Sequence, residues 1–296
     1  MCDERTTPIW GSWTHEKLER VRKYLAAYTT IFAKNPRAQK LIPIYVDAFA
    51  GTGYRTKPQQ LDSQTTLFEE PNEHEAEEFL RGSAQIALET HPPFSRYIFI
   101  EKDPDRVKEL EKLQIKYPQR EIQIVQGDAN NWLVRWCATT DWRQCRAVVF
   151  LDPYGMQVDW ELIKALAKTQ AIDTWILFPL GVAVNRLLTR SSEPPSAWAN
   201  ALTRILGTDD WREAFYSHTT AQTLFGTAKI TNKEADFEKI GQFFIGRLKT
   251  VFAAVAENQL VLRNSRNTPL YLLCFAAGNP KGAKTAVKIA QDILRK

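Results

Sequence analysis

From residue 42 to about residue 180, short apolar runs alternate with helical segments. Ile42–Ala50, Arg96–Ile100, Ile122–Val125, Ala147–Leu151 and Thr174–Leu180 read as strands. Helical patterns fall between them over Pro104–Lys116, Asn131–Ala138 and Trp160–Lys168. Such alternation predicts an open α/β sheet with mostly parallel strands, because each crossover must return the chain to the same edge. A helix with an apolar stripe (Leu18, Val21, Leu25, Tyr28, Phe32) precedes this core over residues 1–40. The core itself is assigned to 41–190, interrupted by a polar, acidic insertion at 54–82. A helical insertion is expected over 191–257, with Thr231 and Glu234 as a capping box before its second helix. Residues 258–296 read as a β-hairpin (Gln259–Leu262 with Leu270–Ala276) and a closing helix. The expected architecture is a Rossmann-like, seven-stranded sheet whose last strand is antiparallel.

In an open α/β sheet, ligands bind at the carboxyl ends of the strands. Four strands carry an acid at or near that edge: Asp47 before Phe49-Ala-Gly51-Thr-Gly53, then Glu101, then Asp128 before Ala129, then Asp152 before Pro153-Tyr154-Gly155. Each acid alone reads equally as a turn former or a helix cap. Their repetition on one rim is more specific. Glycines let a backbone approach a ligand closely, a carboxylate after the second strand can accept both hydroxyls of a ribose, and one after the third can accept from an adenine amino group. A phosphate-binding loop fits less well, since the third glycine of G-x-G-x-x-G and any G-K-[ST] are missing. Asp47 would also repel a pyrophosphate, which counts against a nicotinamide dinucleotide. It would favour the cationic end of S-adenosylmethionine (SAM).

These motifs resemble those of class I SAM-dependent methyltransferases. The likeness extends to the three-Cys-motif partner family (TcmP) through Trp13-Thr-His-Glu-Lys17, Tyr24-Leu25, Val46–Gly53, Gly82-Ser83-Ala84, Phe99–Glu101, Gly127-Asp128, Phe150–Gly155, Phe178-Pro179 and Tyr271–Pro280. The resemblance implies that Asp47, Phe49, Gly51 and Gly53 hold the methionine end of SAM, that Glu101 holds the ribose, and that Asp128 and Ala129 hold the adenine. It implies that Asp152, Pro153 and Tyr154 face the methyl acceptor, and that a cysteine-bearing, radical-SAM-like protein is the partner. Asp152-Pro-Tyr is similar to the [D/N/S]-P-P-[Y/F] motif of enzymes that methylate exocyclic amino groups of bases, but lacks its second proline. Asp47 and Glu101 stand 54 positions apart, and the acidic insertion accounts for the length.

Charge supports an anionic partner. The net charge is +5 although Glu69–Glu78 alone holds six glutamates and no Lys or Arg. Together with the resemblance at Asp152-Pro-Tyr, this makes nucleic acid the expected substrate class, and a binding or scaffold subunit that keeps SAM, or only its fold, is the alternative. The four cysteines form no CxxC pair, and the four histidines lack ligand spacing, so neither a disulfide framework nor a metal is expected. No apolar run approaches the roughly 20 residues of a membrane span, and a cytoplasmic location is expected.

Overall fold

The computed structural model describes residues 12–51, 82–223 and 226–295. Helix α1 (Ser12–Lys34) leads into strand β1 (Ile42–Asp47), and a helical segment, α2, spans residues 82–88. Then follow β2 (Arg96–Glu101), α3 (Pro104–Lys116), β3 (Ile122–Gln126), α4 (Ala129–Thr139), β4 (Cys145–Leu151), α5 (Trp160–Lys168) and β5 (Ile172–Phe178). The chain next makes a π-helical turn (Leu180–Val184), followed by α6 (Asn185–Leu187), α7 (Ser196–Leu206) and α8 (Trp211–Phe215). A hairpin, β6 (Tyr216–Thr223) and β7 (Gly226–Lys233), precedes α9 (Phe237–Lys249), β8 (Ala254–Val255), β9 (Leu260–Arg263), β10 (Pro269–Ala277) and α10 (Ala283–Leu294).

The main sheet runs β3-β2-β1-β4-β5-β10, with β8 and β9 both pairing along the outer side of β10. Strands β1 to β5 are parallel, and β10 is antiparallel to β5. This is a Rossmann-like arrangement with an antiparallel strand added to a parallel sheet. The expected seven strand positions are present, but the outermost is filled by two short strands, so the sheet has eight strands. Polar residues Glu257, Asn258 and Gln259 interrupt that edge.

Both faces of the sheet are covered, so its strands alternate between two cores rather than between core and water. Ile44, Val46, Ile98, Ile100, Ala147, Val149 and Leu151 pack beneath α4, α5, α7 and α9. Tyr45, Tyr97, Phe99, Val148 and Phe150 pack on the other side with Val21, Tyr24, Leu25 and Tyr28 of α1, and with residues of α2, α3 and α10.

The segment expected to be helical, 191–257, is helical only in part. Its middle is the β6–β7 hairpin, eight residues per strand, paired from Tyr216↔Lys233 to Thr223↔Gly226. Thr219, Thr220, Thr223, Thr227, Ile230 and Thr231 are β-branched, and such side chains favour the extended chain over the helix. Thr231 therefore lies in β7 rather than in a capping box; the cap of α9 is Asp236, whose side chain accepts from the Lys239 N–H. Helix α9 ends at Lys249, inside the segment expected to be helical, and Ala254–Val255 joins the sheet.

Helix α7 ends on Gly207, which takes φ 70° as a left-handed C-cap. A Cβ there would lie 2.0 Å from the Trp160 indole. Replacing Gly207 with Ala should destabilise the fold by about 1–3 kcal/mol, measured by chemical denaturation with an unchanged m-value.

Candidate cofactor and substrate site

Three of the four rim acids obey one rule of strand geometry. Tyr45, Phe99 and Phe150 all point to the α1 face of the sheet. Asp47, Glu101 and Asp152 each stand two residues further on, and side chains two apart share a face. In register, Asp47 sits between Phe99 on β2 and Phe150 on β4. All three acids are buried.

Glu101 is held from one side only. Its Oε1 accepts from the N–H groups of Lys102 (2.6 Å) and Asp103 (2.7 Å). Its Oε2 is buried and has no hydrogen-bond partner among the described residues. That oxygen lies against Gly51, where an added Cβ would come within 2.2 Å of it. Burial raises the Glu101 pKa, opposed by the two N–H groups and by Arg106. Asp103 takes the structural role at this corner and caps α3 through Asp105 and Arg106.

Asp128 is the N-cap of α4, accepting from the Asn131 N–H at 2.9 Å. Its capping role and a ligand role are compatible, because a carboxylate has two oxygens and a helix N-terminus presents unpaired N–H groups. The loop after β4 is tied to the same helix start. Asn130 donates to the Gln157 carbonyl (2.8 Å) and accepts from the Asp159 N–H (2.9 Å). From the far side Arg204 of α7 holds the Met156 carbonyl and the Asp159 carboxylate.

These elements enclose a cleft of about 870 Å³ at the carboxyl ends of β1, β2 and β3. Phe49, Glu101, Asp128, Ala129 and Tyr154 line it together with Arg106 and Arg204. Tyr154 is 52% exposed, an unusual position for a large aromatic ring. Thus five of the residues singled out in the sequence meet in one cavity. Gly51 stands behind Glu101, and Pro153 is buried beside Tyr154. Gly53 and residues 54–81 of the expected insertion lie outside the described residues.

Asp47 and Asp152 belong to an adjoining group that does not line this cleft. Lys17 of α1, fully buried, places its Nζ 2.5 Å from Asp152 Oδ2. The ammonium also lies 5.8 Å from the Phe150 ring centroid and 5.5 Å from that of Trp13, which stacks on Tyr271 at 5.3 Å. Burial lowers the Lys17 pKa, and Asp152 and Asp47 act against that. Asp47 accepts from the Ser83 hydroxyl and the Phe49 N–H, while its Oδ2 is buried without a partner among the described residues. Burial pushes Asp47 up to about 7, opposed by the Ser83 bond, and the Asp152 charge pushes the same way as burial. Tyr45 and Tyr271 border the group, their phenols held neutral by burial and by the nearby carboxylates.

Lys17, Ser83 and Tyr271 were not singled out as site residues. A signal for Lys17 was present, since it lies on the apolar stripe of α1 four residues before Val21. A lysine there must either break the stripe or find a buried anion.

No family model and no curated protein matches the chain. Among solved structures it is similar to protein LPL1258 from Legionella pneumophila, with 13% identity and a TM-score of 0.51, covering 96% of this chain and 92% of that one. Looser overlaps include a S-adenosylmethionine-dependent methyltransferase from Clostridium acetobutylicum (9% identity, TM-score 0.36, 87% of this chain and 92% of that one). Another is a putative methyltransferase, yhhF, from Escherichia coli (11% identity, TM-score 0.29, 73% and 87%). Of these three only the first exceeds 0.5, and at its identity it speaks to fold alone.

The raised Asp47 pKa has a consequence for stability. A folded carboxyl that binds its proton more tightly than the unfolded one stabilises the fold below the unfolded value near 4, and this is lost as pH rises through about 7. Asp47→Asn carries no such loss. Its melting temperature should match wild type near pH 4 and exceed it by a growing margin up to pH 8, measured by calorimetric scans across that range.

Proposed function

We propose that the cleft binds SAM and that the protein is a SAM-dependent methyltransferase acting on nucleic acid, with a base amino group as acceptor. One observation carries the cofactor reading: a buried carboxylate oxygen, Glu101 Oε2, stands against the Gly51 backbone with no partner among the described residues. An unpaired buried acceptor is costly unless a ligand satisfies it. An acid after the second strand of such a sheet is placed to accept from ribose hydroxyls.

The residues fit the cofactor. Glu101 would take the ribose, Asp128 and Ala129 at the start of α4 the adenine, and Phe49 and Gly51 the methionine end, to which the family resemblance also assigns Asp47 and Gly53. SAM, when bound, supplies an electrophilic methyl group. The chain's part is to hold the acceptor beside that group and to exclude water. Tyr154, exposed on the cleft wall, offers a stacking face for a planar base. Asp152 and Pro153 stand beside it, and Asp152 would accept a hydrogen bond or a proton from the acceptor. The basic balance of the chain favours a polyanionic substrate.

A second reading has an observation of its own. The Asp152 carboxylate is already engaged by buried Lys17, which suits a structural role for the motif. On that reading the chain is a SAM-fold subunit serving a cysteine-bearing, radical-SAM-like partner, as its resemblance to the TcmP family implies.

Calorimetry of SAM binding tests the site. Wild type should bind, and Glu101→Gln should bind about 10–100-fold more weakly, the loss of charge-assisted bonds to two hydroxyls. Equal binding by both, or none by wild type, rejects the assignment. Transfer of a tritiated methyl group to total RNA and DNA, with and without the cysteine-bearing partner, separates the readings; absence of labelled product under every condition favours the scaffold.

A further inference from the structure

The two edges of the main sheet carry opposite charge. Asp47, Glu101, Asp128 and Asp152 stand at the carboxyl edge, with Asp103 and Asp159 beside the cleft. The amino edge, where β1 to β5 begin, is basic. Lys34, Lys116 and Lys168 lie there in the last turns of α1, α3 and α5, and the carbonyl ends of those helices account for them. Other cations come from the connections and the strand starts, and no helix end explains them. Residues 35–41 bring Arg37 and Lys40, both exposed, and no acid. Hydrogen bonds from the Ile42 N–H to the Gln144 carbonyl and from the Ser95 N–H to the Pro43 carbonyl set the neighbouring connections alongside. Arg143 stands in one of them, and Arg146 and Arg96 stand opposite Pro43 and Ile44 in register. The Tyr97 N–H donates to the Glu121 carbonyl, which adds Arg120. The exposed acids of this edge are already engaged: Glu89 by the Tyr117 hydroxyl, Glu121 by Arg96 and Asp141 by Arg143. Arg146 donates to the carbonyls of Trp142 and Cys145 and lies near buried Asp173, which Tyr24 bonds. Arg37, Lys40 and Arg120 have no acid within ion-pair distance among the described residues, and Arg120 Nε is buried without an acceptor among them.

We propose that this amino edge is a docking surface for the phosphate backbone of a nucleic acid, gripping the polyanion at the end of the sheet opposite the cleft. The inference deepens the nucleic-acid reading above and rests on it. The net charge of the chain favours an anion, yet the acids around the cleft oppose one, and positive charge gathers at the other edge. Of the cations named from the connections and strand starts, all but Lys40 are arginines, whose planar forks match phosphate oxygens in pairs. Adjacent strands lie about 4.8 Å apart, so the edge from β3 to β5 runs roughly 20 Å, about six steps of a duplex. The edge is made of loops and strand starts rather than of an amphipathic helix, which disfavours a membrane surface. The exposed Tyr154 ring at the cleft, a stacking face for a base, favours nucleic acid over an acidic protein. Strand β4 is seven residues long, which separates this edge from the cleft by roughly 23 Å. A nucleic acid engaged at both ends must therefore be long or folded, and a free nucleoside gains nothing from the amino edge.

The test is fluorescence anisotropy of the full chain, without SAM, against a labelled RNA hairpin and a labelled DNA duplex of about 20 base pairs, with salt raised from about 50 to about 200 mM. The variant Arg37→Gln/Lys40→Gln/Arg143→Gln removes exposed charge from the edge; Lys108→Gln/Lys239→Gln/Arg266→Gln removes as much elsewhere on the surface. At low salt the edge variant should bind about 10–100-fold more weakly than wild type, and its log–log salt slope should be shallower by about 2–3. The control variant should lose less than about threefold. Both variants should keep the wild-type melting temperature. If the edge variant does not fold, Arg37→Gln/Lys40→Gln takes its place, with a slope change of about 1–2. Unchanged binding by the edge variant, or an equal loss in both variants, overturns the proposal and leaves the nucleic-acid reading standing. Equally tight binding of polyglutamate or of phosphatidylserine vesicles, lost in the same variant, overturns nucleic acid as the occupant. Failure of wild type to bind either nucleic acid overturns the proposal and the nucleic-acid reading together, while SAM calorimetry judges the cofactor site separately.

Discussion

The ion pair between Lys17 and Asp152 joins parts of the chain 135 positions apart and ties α1 to the end of β4 on one face of the sheet. A lysine enclosed by Trp13, Phe150 and two carboxylates has lost its water, and such a pair is weak evidence of stability by itself. Its effect is specific rather than large. Only one docking of α1 lets the ammonium meet its anion, so the helix cannot slide along the sheet without stranding a charge, at a cost of about 3–5 kcal/mol. That docking seats Tyr24, Leu25 and Tyr28 on the aromatic layer of the strands. It also brings a helix from outside the α/β core against the end of β4.

The rim acids owe their convergence to the parallel sheet. Parallel strands end at the same edge, and alternation sends every second residue to the same side. The repeated pattern of an aromatic residue, one intervening residue and an acid (Tyr45/Asp47, Phe99/Glu101, Phe150/Asp152) therefore becomes a layer of carboxylates above a layer of rings. Asp128 follows a different logic, coming from a helix cap on β3's exit, and it reaches the cleft from another wall. Its neighbour Asn130 fastens the loop after β4, so the α4 wall and the Tyr154 wall of the cleft share one anchor.

Much of this was legible in the chain itself. The strands from Ile42 to Phe178 stand out because burial on both faces makes them continuous apolar runs, and their order follows from the crossovers. Phe49, Glu101, Asp128, Ala129 and Tyr154 could be placed together because strand ends in such a sheet must meet. The β6–β7 hairpin was not, since Tyr216–Lys233 is rich in threonine and lacks the apolar alternation that marks a core strand. Lys17 was passed over for a different reason. Helical periodicity is scored on apolar residues, and a charge within a stripe shows its meaning only when its anion, far off in the sequence, is known.

The divided outer strand bears on how the molecule behaves among its own copies. A long, flat border of unpaired amides invites another chain to add itself to the sheet. Here one border is two short pieces, Ala254–Val255 and Leu260–Arg263, separated by Glu257, Asn258 and Gln259. The opposite one, Ile122–Gln126, is five residues long with exposed glutamines at 123 and 126. Neither offers a run on which a foreign strand could settle in register, and an eight-stranded sheet is thereby kept from growing.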